Sequence, residues 1–431
     1  MKTLFFDFDI ECCKAVWFNS DNFPKTEVGS GKSGAPVQTL ENLEMKKTLV
    51  AIAALAAFGA QAQSSVQIDG IMDAGYQSLD YKGNKASGFG GNGSSTSQLN
   101  IRGTEDLGGG MKASFRVEND WSVVSNGFNQ GGATGTNSPV AGTATGSFGN
   151  GELRVGVAGP FGAVDFGALN YHSLAGVSAV ANPYGTAIGS GYGSILRTNY
   201  NASAVRSDNS ARYTTPTYAG FSANYLVAKK QDMSTNTTFG NATNALGYYQ
   251  FTGVQELGLS YNNGPLAAAF SAMTFDRTGL GTNAAGTPYD NTKTKLNSLG
   301  VSYTIGAAKL GYLNQTNKGD TATSVDMAVN LFSVTYTMGN VVLSAMTGNN
   351  NNKYAYTSTT ANASTAAAKS KMMSFGADYN MSKTTALYLR NESITDDANL
   401  LGGYTAAAFT TASGSTGAKR TRTAIGVRVG F

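Results

Sequence analysis

The sequence predicts a closed antiparallel β-barrel that crosses a membrane with its strands. The chain ends in a strand in which Thr423, Ile425, Val427, Val429 and Phe431 alternate with Arg422, Ala424, Gly426, Arg428 and Gly430, so one face is apolar and the other carries arginine. The same alternation recurs about sixteen times. Only 41% of the 431 residues are hydrophobic and 13% charged, and no run approaches the roughly 20 consecutive apolar residues of a membrane helix. A barrel needs apolar side chains only at alternate strand positions, because the others face an aqueous lumen.

The first 62 residues are expected to stand apart from the barrel. Met45 is followed by Lys46 and Lys47, an apolar run over 49–58, and Ala60-Gln61-Ala62. These are the charged, apolar and small-residue regions of a secretory signal, and the run is too short to span a bilayer. Residues 1–44 are therefore read as an upstream extension from a misassigned start, 45–62 as a cleaved signal, and 63–431 as one barrel domain. Cys12 and Cys13 are the only cysteines. Adjacent, without a second pair or a nearby histidine, they make no metal site.

Along the remaining chain, strands are joined alternately by short turns and long polar loops. In 66–76, Val66, Ile68, Met72 and Ala74 take one face and Gln67, Asp69 and Asp73 the other. In 98–103, Leu99 and Ile101 oppose Gln98, Asn100 and Arg102; in 111–118, Met111, Ala113, Phe115 and Val117 oppose Lys112, Ser114, Arg116 and Glu118. The pair 153–158 and 164–169 is closed by Gly159-Pro160-Phe161-Gly162. Later turns fall at Thr215-Pro216-Thr217, Asn262-Asn263-Gly264-Pro265, Gly306-Ala307, Gly339-Asn340 and Asn380-Met381-Ser382-Lys383. The hairpin count gives about sixteen strands and about eight short turns, with long loops at the opposite end, as expected when one rim faces the periplasm and the other the exterior.

Four motifs, in order along the chain, carry a family resemblance. They are Arg102-Gly103-Thr104-Glu105-Asp106-Leu107-Gly108-Gly109-Gly110-Met111-Lys112-Ala113, then Asp208-Asn209-Ser210-Ala211-Arg212-Tyr213 with Pro216 and Gly220-Phe221, then Tyr379-Asn380-Met381-Ser382-Lys383-Thr384, and the terminal Phe431. They resemble the early, middle and late turns and the C-terminal assembly signal of the trimeric general porins of Gram-negative bacteria, especially the beta-proteobacterial type. The resemblance implies a sixteen-stranded barrel, a homotrimer in outer-membrane lipid, and passive passage of small hydrophilic solutes and ions. It also implies a long third loop folded into the pore, here about 170–205. The chain departs from the family at Gln98, at Gly167-Ala168-Leu169-Asn170 and at Val429, where relatives often carry Arg, Arg and His; the first two changes remove lumen cations.

From Phe166 through Ser207 there is no Asp or Glu. An acid-free constriction facing wall arginines favours anions, because fixed charge beside a narrow passage is poorly screened. Parity and position give the candidate pore cations as Arg102, Lys112, Arg116, Arg154, Arg197, Arg206 and Arg212. The competing reading pairs each arginine with a lumen carboxylate such as Asp69, Asp73, Glu118 or Glu152. Arg422 and Arg428 also point inward but are ranked below these.

Catalysis is not expected: His172 is the only histidine and lies in the constriction loop, which leaves at most one imidazole base and no metal-ligand cluster. No cofactor and no nucleic-acid partner is expected. The alternatives are a substrate-specific channel or an adhesin-type barrel, although the aromatic residues fall largely at outward parity, where they suit lipid contact and interfacial girdles rather than a sugar slide. N-terminal sequencing of the protein from outer membranes is expected to begin at Gln63; recovery of residues 1–44 would overturn the reading of the start.

Overall fold

The computed structural model describes residues 64–81, 84–124, 148–192, 194–196, 205–229, 253–276, 293–320, 326–353, 368–396 and 418–431. The extension, the signal segment and Arg197 lie outside these. The described residues form one sheet of 17 strands. They are β1 (Ser65–Tyr81), β2 (Asn84–Gly90), β3 (Gln98–Gly108), β4 (Met111–Asp120), β5 (Leu153–Gly159), β6 (Gly162–Asn170), β7 (Arg206–Thr214), β8 (Phe221–Ala228) and β9 (Gly253–Asn263). The remainder are β10 (Leu266–Asp276), β11 (Lys293–Ile305), β12 (Ala308–Gly319), β13 (Asp326–Met338), β14 (Val341–Asn352), β15 (Ala368–Asn380), β16 (Thr385–Asp396) and β17 (Ala418–Gly430).

Sequence neighbours pair antiparallel, and β1 pairs with β17 from Ile71↔Gly430 to Tyr81↔Arg420, which closes the sheet. β2 and β3 share one place in the wall: β2 pairs with the second half of β1 (Gly75↔Gly90) and β3 with its first half (Ile71↔Gln98). The result is a 16-strand barrel. The seam between β1 and β17 stands where the turn count anticipated one further hairpin.

Closure is obligatory, since a sheet edge in lipid would leave N–H and C=O groups without partners. The tight turns after β9, β11 and β13 place Gly264, Gly306 and Gly339 at φ 55°, 57° and 59°, a left-handed conformation that a side chain disfavours. The outer face is apolar and open: Val155, Phe166, Phe332 and Ile425 are each more than half exposed, as lipid contact demands and a soluble surface would avoid. Phe431 extends the seam, exchanging both backbone hydrogen bonds with Gly70 at 3.1 Å. Its ring covers Gly70 so closely that a Cβ there would lie 2.6 Å from Cζ.

The inner face departs from the sequence reading. Alternation assigns all inward positions to water, yet Ala269, Leu313, Met327, Leu331, Met346, Met372 and Ile394 of β10 and β12–β16 are buried. They are covered by the third long connection, which leaves β6 and enters the lumen as a π-helical turn (Ser173–Ser178) and one short helix, α1 (Ala179–Ala181). Val177, Ala181, Tyr184, Tyr192, Ile195 and Leu196 complete this internal apolar cluster. Burial of that surface holds the loop to one wall, which leaves the opposite wall, β1 and β3–β7, facing the open passage.

The loop can lie this close because the wall beneath it lacks side chains. A Cβ on Gly300 would sit 2.4 Å from the Val177 carbonyl oxygen, and one on Gly311 2.8 Å from that of Ala181. Both contacts are too short to exist. Gly300→Val is therefore expected to lift the loop at a cost of about 1–3 kcal/mol of overpacking, raising single-channel conductance and open-channel noise in a planar bilayer while the barrel still forms. Unchanged conductance and noise would show that the loop does not depend on this seat.

Candidate pore constriction

The register sets three arginines in one inward row: Arg102 lies opposite Arg116, and Arg116 opposite Arg154. Like charges directly opposed in a sheet repel. Carboxylates resolve the conflict by interleaving. Arg102 reaches Asp69 at 3.0 Å, Arg116 reaches Glu118 at 2.5 Å and Glu152 at 2.9 Å, and Arg154 reaches Asp165 at 3.3 Å. Arg212 joins from β7, 2.9 Å from Asp165 and 3.9 Å from Glu152. The structure thus brings four of the candidate cations together, but as ion pairs rather than free charges. Three partners are among those the competing reading named, Asp165 is an addition, and Asp73 is engaged elsewhere.

Arg206 donates to the carbonyl oxygen of Asn150 and lies beside the same passage. Lys112 sits at the short-turn end, opposite Asp106 and Ala158, exposed in the lower mouth. Arg422 shares Glu392 with Arg420, each at 2.9 Å. Arg428, which the sequence reading ranked below the other cations, is placed differently from them. It points into the passage with Arg116 and Arg206, and no carboxylate pairs with it among the described residues. Its cross-strand neighbour Asp73 is taken by Tyr388, whose hydroxyl donates at 2.7 Å, and by the backbone N–H groups of Ser94 and Ser95 at 2.8 and 2.7 Å. Parity identifies an inward arginine but not which carboxylates are already occupied.

The loop opposite is fixed at two points by wall glutamates. The buried Glu256 carboxylate on β9 accepts from the backbone N–H of His172 (2.7 Å) and of Ser173 (2.9 Å) and from the Ser271 hydroxyl (2.6 Å). Glu392 on β16 accepts from the N–H of Gly189 at 3.2 Å. An inward glutamate isolated in an otherwise uncharged strand was the available sequence signal for Glu256; β16 also carries Arg390 and Asp396, so Glu392 had no such signal. His172 extends the first anchor: Nδ1 lies 2.9 Å from the Asn224 amide nitrogen, and Nε2 3.1 Å from the Leu259 carbonyl oxygen. With Nδ1 as acceptor, Nε2–H donates, and the ring is neutral. Burial pushes the imidazole below its usual range, more than the Leu259 hydrogen bond and the Glu256 charge raise it. His172 therefore holds the loop and adds no charge to the passage.

Between loop and wall lies a cavity of about 450 Å³ that Ser178, Pro183 and Tyr184 border on one side and Arg116, Arg206 and Arg428 on the other. Glu118 and Asp120 also reach it from β4. A site lined in this way can exchange the hydration of a small ion for fixed charges and hydroxyls.

Residues 48–399 match the family model described as Gram-negative porin. The chain is 32% identical over 368 residues to outer membrane porin protein 32 of Delftia acidovorans, covering 83% of this chain and 92% of that protein. It is 32% identical over 286 residues to an outer membrane porin protein of Bordetella pertussis, covering 62% and 68%. Among solved structures, an anion-selective porin from Comamonas acidovorans aligns with a TM-score of 0.64 at 23% identity, over 86% of this chain and 100% of that one. The trimer form of OmpT from Vibrio cholerae aligns with a TM-score of 0.56 at 14% identity, over 85% and 99%. At these identities the two structures speak to the fold.

Removing the carboxylate that Arg154 and Arg212 share should unmask both. Asp165→Asn is expected to move the reversal potential in a salt gradient toward that of the anion. An unmoved potential would mean that mobile ions already screen the row as well as Asp165 does.

Proposed function

The chain belongs to the Gram-negative porin family, as a pore of the outer membrane that passes small hydrophilic solutes, and on that premise we propose that its pore prefers anions and that three copies assemble. The observation that carries the preference is the asymmetry of the constriction. The loop contributes no carboxylate from 166 to 207, and the facing wall presents Arg428 beside Arg116 and Arg206. Glu118 and Asp120 offset part of that charge. The surplus rests on Arg428, in a passage narrow enough that bulk salt screens it incompletely. One structural relative is named as an anion-selective porin and another as a trimer, which supports both parts of the proposal. The ring of Phe431 against Gly70 at the lipid face supports a role for the terminal residue as an assembly signal. Export through cleavage after Ala62 belongs to the same proposal.

The paired and unpaired arginines make different predictions. Arg428→Glu should shift the chloride over potassium permeability ratio toward potassium by about two- to fivefold, equivalent to about 0.4–1 kcal/mol. Arg116→Glu should do less to selectivity and more to stability, because it leaves Glu118 and Glu152 facing a third carboxylate. The wild-type preference should weaken between 0.1 and 1 M salt as the Debye length falls from about 10 Å to about 3 Å. A cation-selective wild type in planar bilayers would overturn the proposal.

A further inference from the structure

Lysines gather on the outward face of the barrel at the end of the long connections. Lys293 and Lys353 meet carboxylates there, Asp276 at 3.4 Å and Asp326 at 3.9 Å. Lys295, Lys318, Lys369, Lys371 and Lys419 are exposed and have no carboxylate partner among the described residues. Lys295 lies directly opposite Lys318, a like-charge pair, and the one acid across from Lys318, Asp326, also meets Lys353. Lys371 lies opposite Thr395, and Thr395 opposite Lys419. These two lysines therefore leave one row about 10 Å apart, two interstrand spacings, with Lys369 one outward position nearer the rim. The outward acid on the neighbouring strand, Asp80, is opposite Lys85 of β2.

Below this cluster the outward wall has a slot. Val334, Tyr336, Leu343, Phe375 and Leu389 rim a cavity of about 380 Å³ whose floor is Ala345 and Ala377. The register explains it: Val334, Ala345 and Phe375 form one cross-strand row, and Tyr336, Leu343, Ala377 and Leu389 the next. A methyl group thus sits between large side chains on both sides. At about 3.3 Å per residue, Phe375 is about 13 Å and Ala377 about 20 Å along β15 from Lys371. A strand tilt of about 40° turns these into depths of about 10–15 Å, and half of a hydrocarbon core of about 30 Å is about 15 Å. The slot therefore lies where an acyl chain ends when its headgroup is level with the lysines.

We propose that the outward face of β13–β17 binds a phosphate-bearing lipid of the outer leaflet, with its phosphate among Lys369, Lys371 and Lys419 and one acyl chain in the slot over Ala345 and Ala377. Charge decides the occupant. A second copy of this chain would bring lysines to lysines, and protein interfaces exclude unpaired lysine from their buried centre. A phosphorylated lipid supplies the missing anions and the apolar chain at the required separation.

The test is native mass spectrometry of the exported protein in detergent, titrated with diphosphorylated lipid A, with dephosphorylated lipid A and with inorganic phosphate as competitor. Two variants are compared: the triple exchange Lys369→Gln, Lys371→Gln, Lys419→Gln, and Ala377→Leu to fill the slot. Wild-type conductance in both serves as the check on folding, and the triple variant alone decides if the slot variant does not fold. The diphosphorylated lipid should bind at least about fivefold more tightly than the dephosphorylated one, each variant should lose about that factor, and inorganic phosphate should not displace the lipid. Equal binding of the two lipids, undiminished binding by the triple variant, or displacement by inorganic phosphate would each overturn the proposal. So would loss of oligomeric state on Ala377→Leu, which would identify the slot as a protein interface.

Discussion

A chain segment folded into the middle of a channel must satisfy its backbone where one side is wall and the other is water, and the rest of this pore depends on how that is done. The loop supplies N–H donors and the wall supplies carboxylates: Glu256 at the loop's entry and Glu392 at Gly189. Both glutamates are buried, so their charge is satisfied by fixed donors rather than by solvent. A loop carboxylate beside the Glu256 anchor would oppose a buried negative charge, whereas Glu392 is already matched by Arg420 and Arg422. The hydrophobic trough between the anchors then fixes the loop's height, and that height sets the width of the passage.

The arginine row shows a second balance. Cations at successive cross-strand positions of a β-sheet are tolerated only when anions lie between them, and β3–β7 solve this with Asp69, Glu118, Glu152 and Asp165. The row is a stiff, hydrated wall whose net field is smaller than its arginine count suggests. The charge that the network leaves out is Arg428, which faces the same cavity from the other side of β1.

Much of this was legible in the sequence. The strand from Thr423 to Phe431, the Gly-rich turns and the outward aromatics follow from period-two alternation and from φ preferences, both local properties. The inward direction of Arg102, Arg116, Arg154 and Arg212 was equally readable. Three things were not. Leu313, Met327 and Leu331 occupy inward positions that alternation gives to water, and only the loop's return against them explains their chemistry. Gly300 and Gly311 read as weak strand residues until the loop backbone is seen above them. That Arg116 is ion-paired while Arg428 meets no carboxylate among the described residues was hidden too, because pairing depends on which side chains share a height in the barrel, and parity carries no information on height.

The offset between β2 and β3 has a consequence for the order of assembly. Residues 91–97 bulge inward there and wrap the Asp73 carboxylate, which also accepts from Tyr388, 315 positions from Asp73. From the same bulge, Thr96 contacts Thr186 of the constriction loop at 3.1 Å. A contact between β1 and β16 can form only when the last hairpin has docked against the first strand, since its loop-closure entropy is met only at ring closure. The narrow part of the pore is consequently completed by the final folding event. A sheet that had not yet closed would enclose no eyelet, and the cell meets a narrowed channel only in molecules whose two ends have found each other.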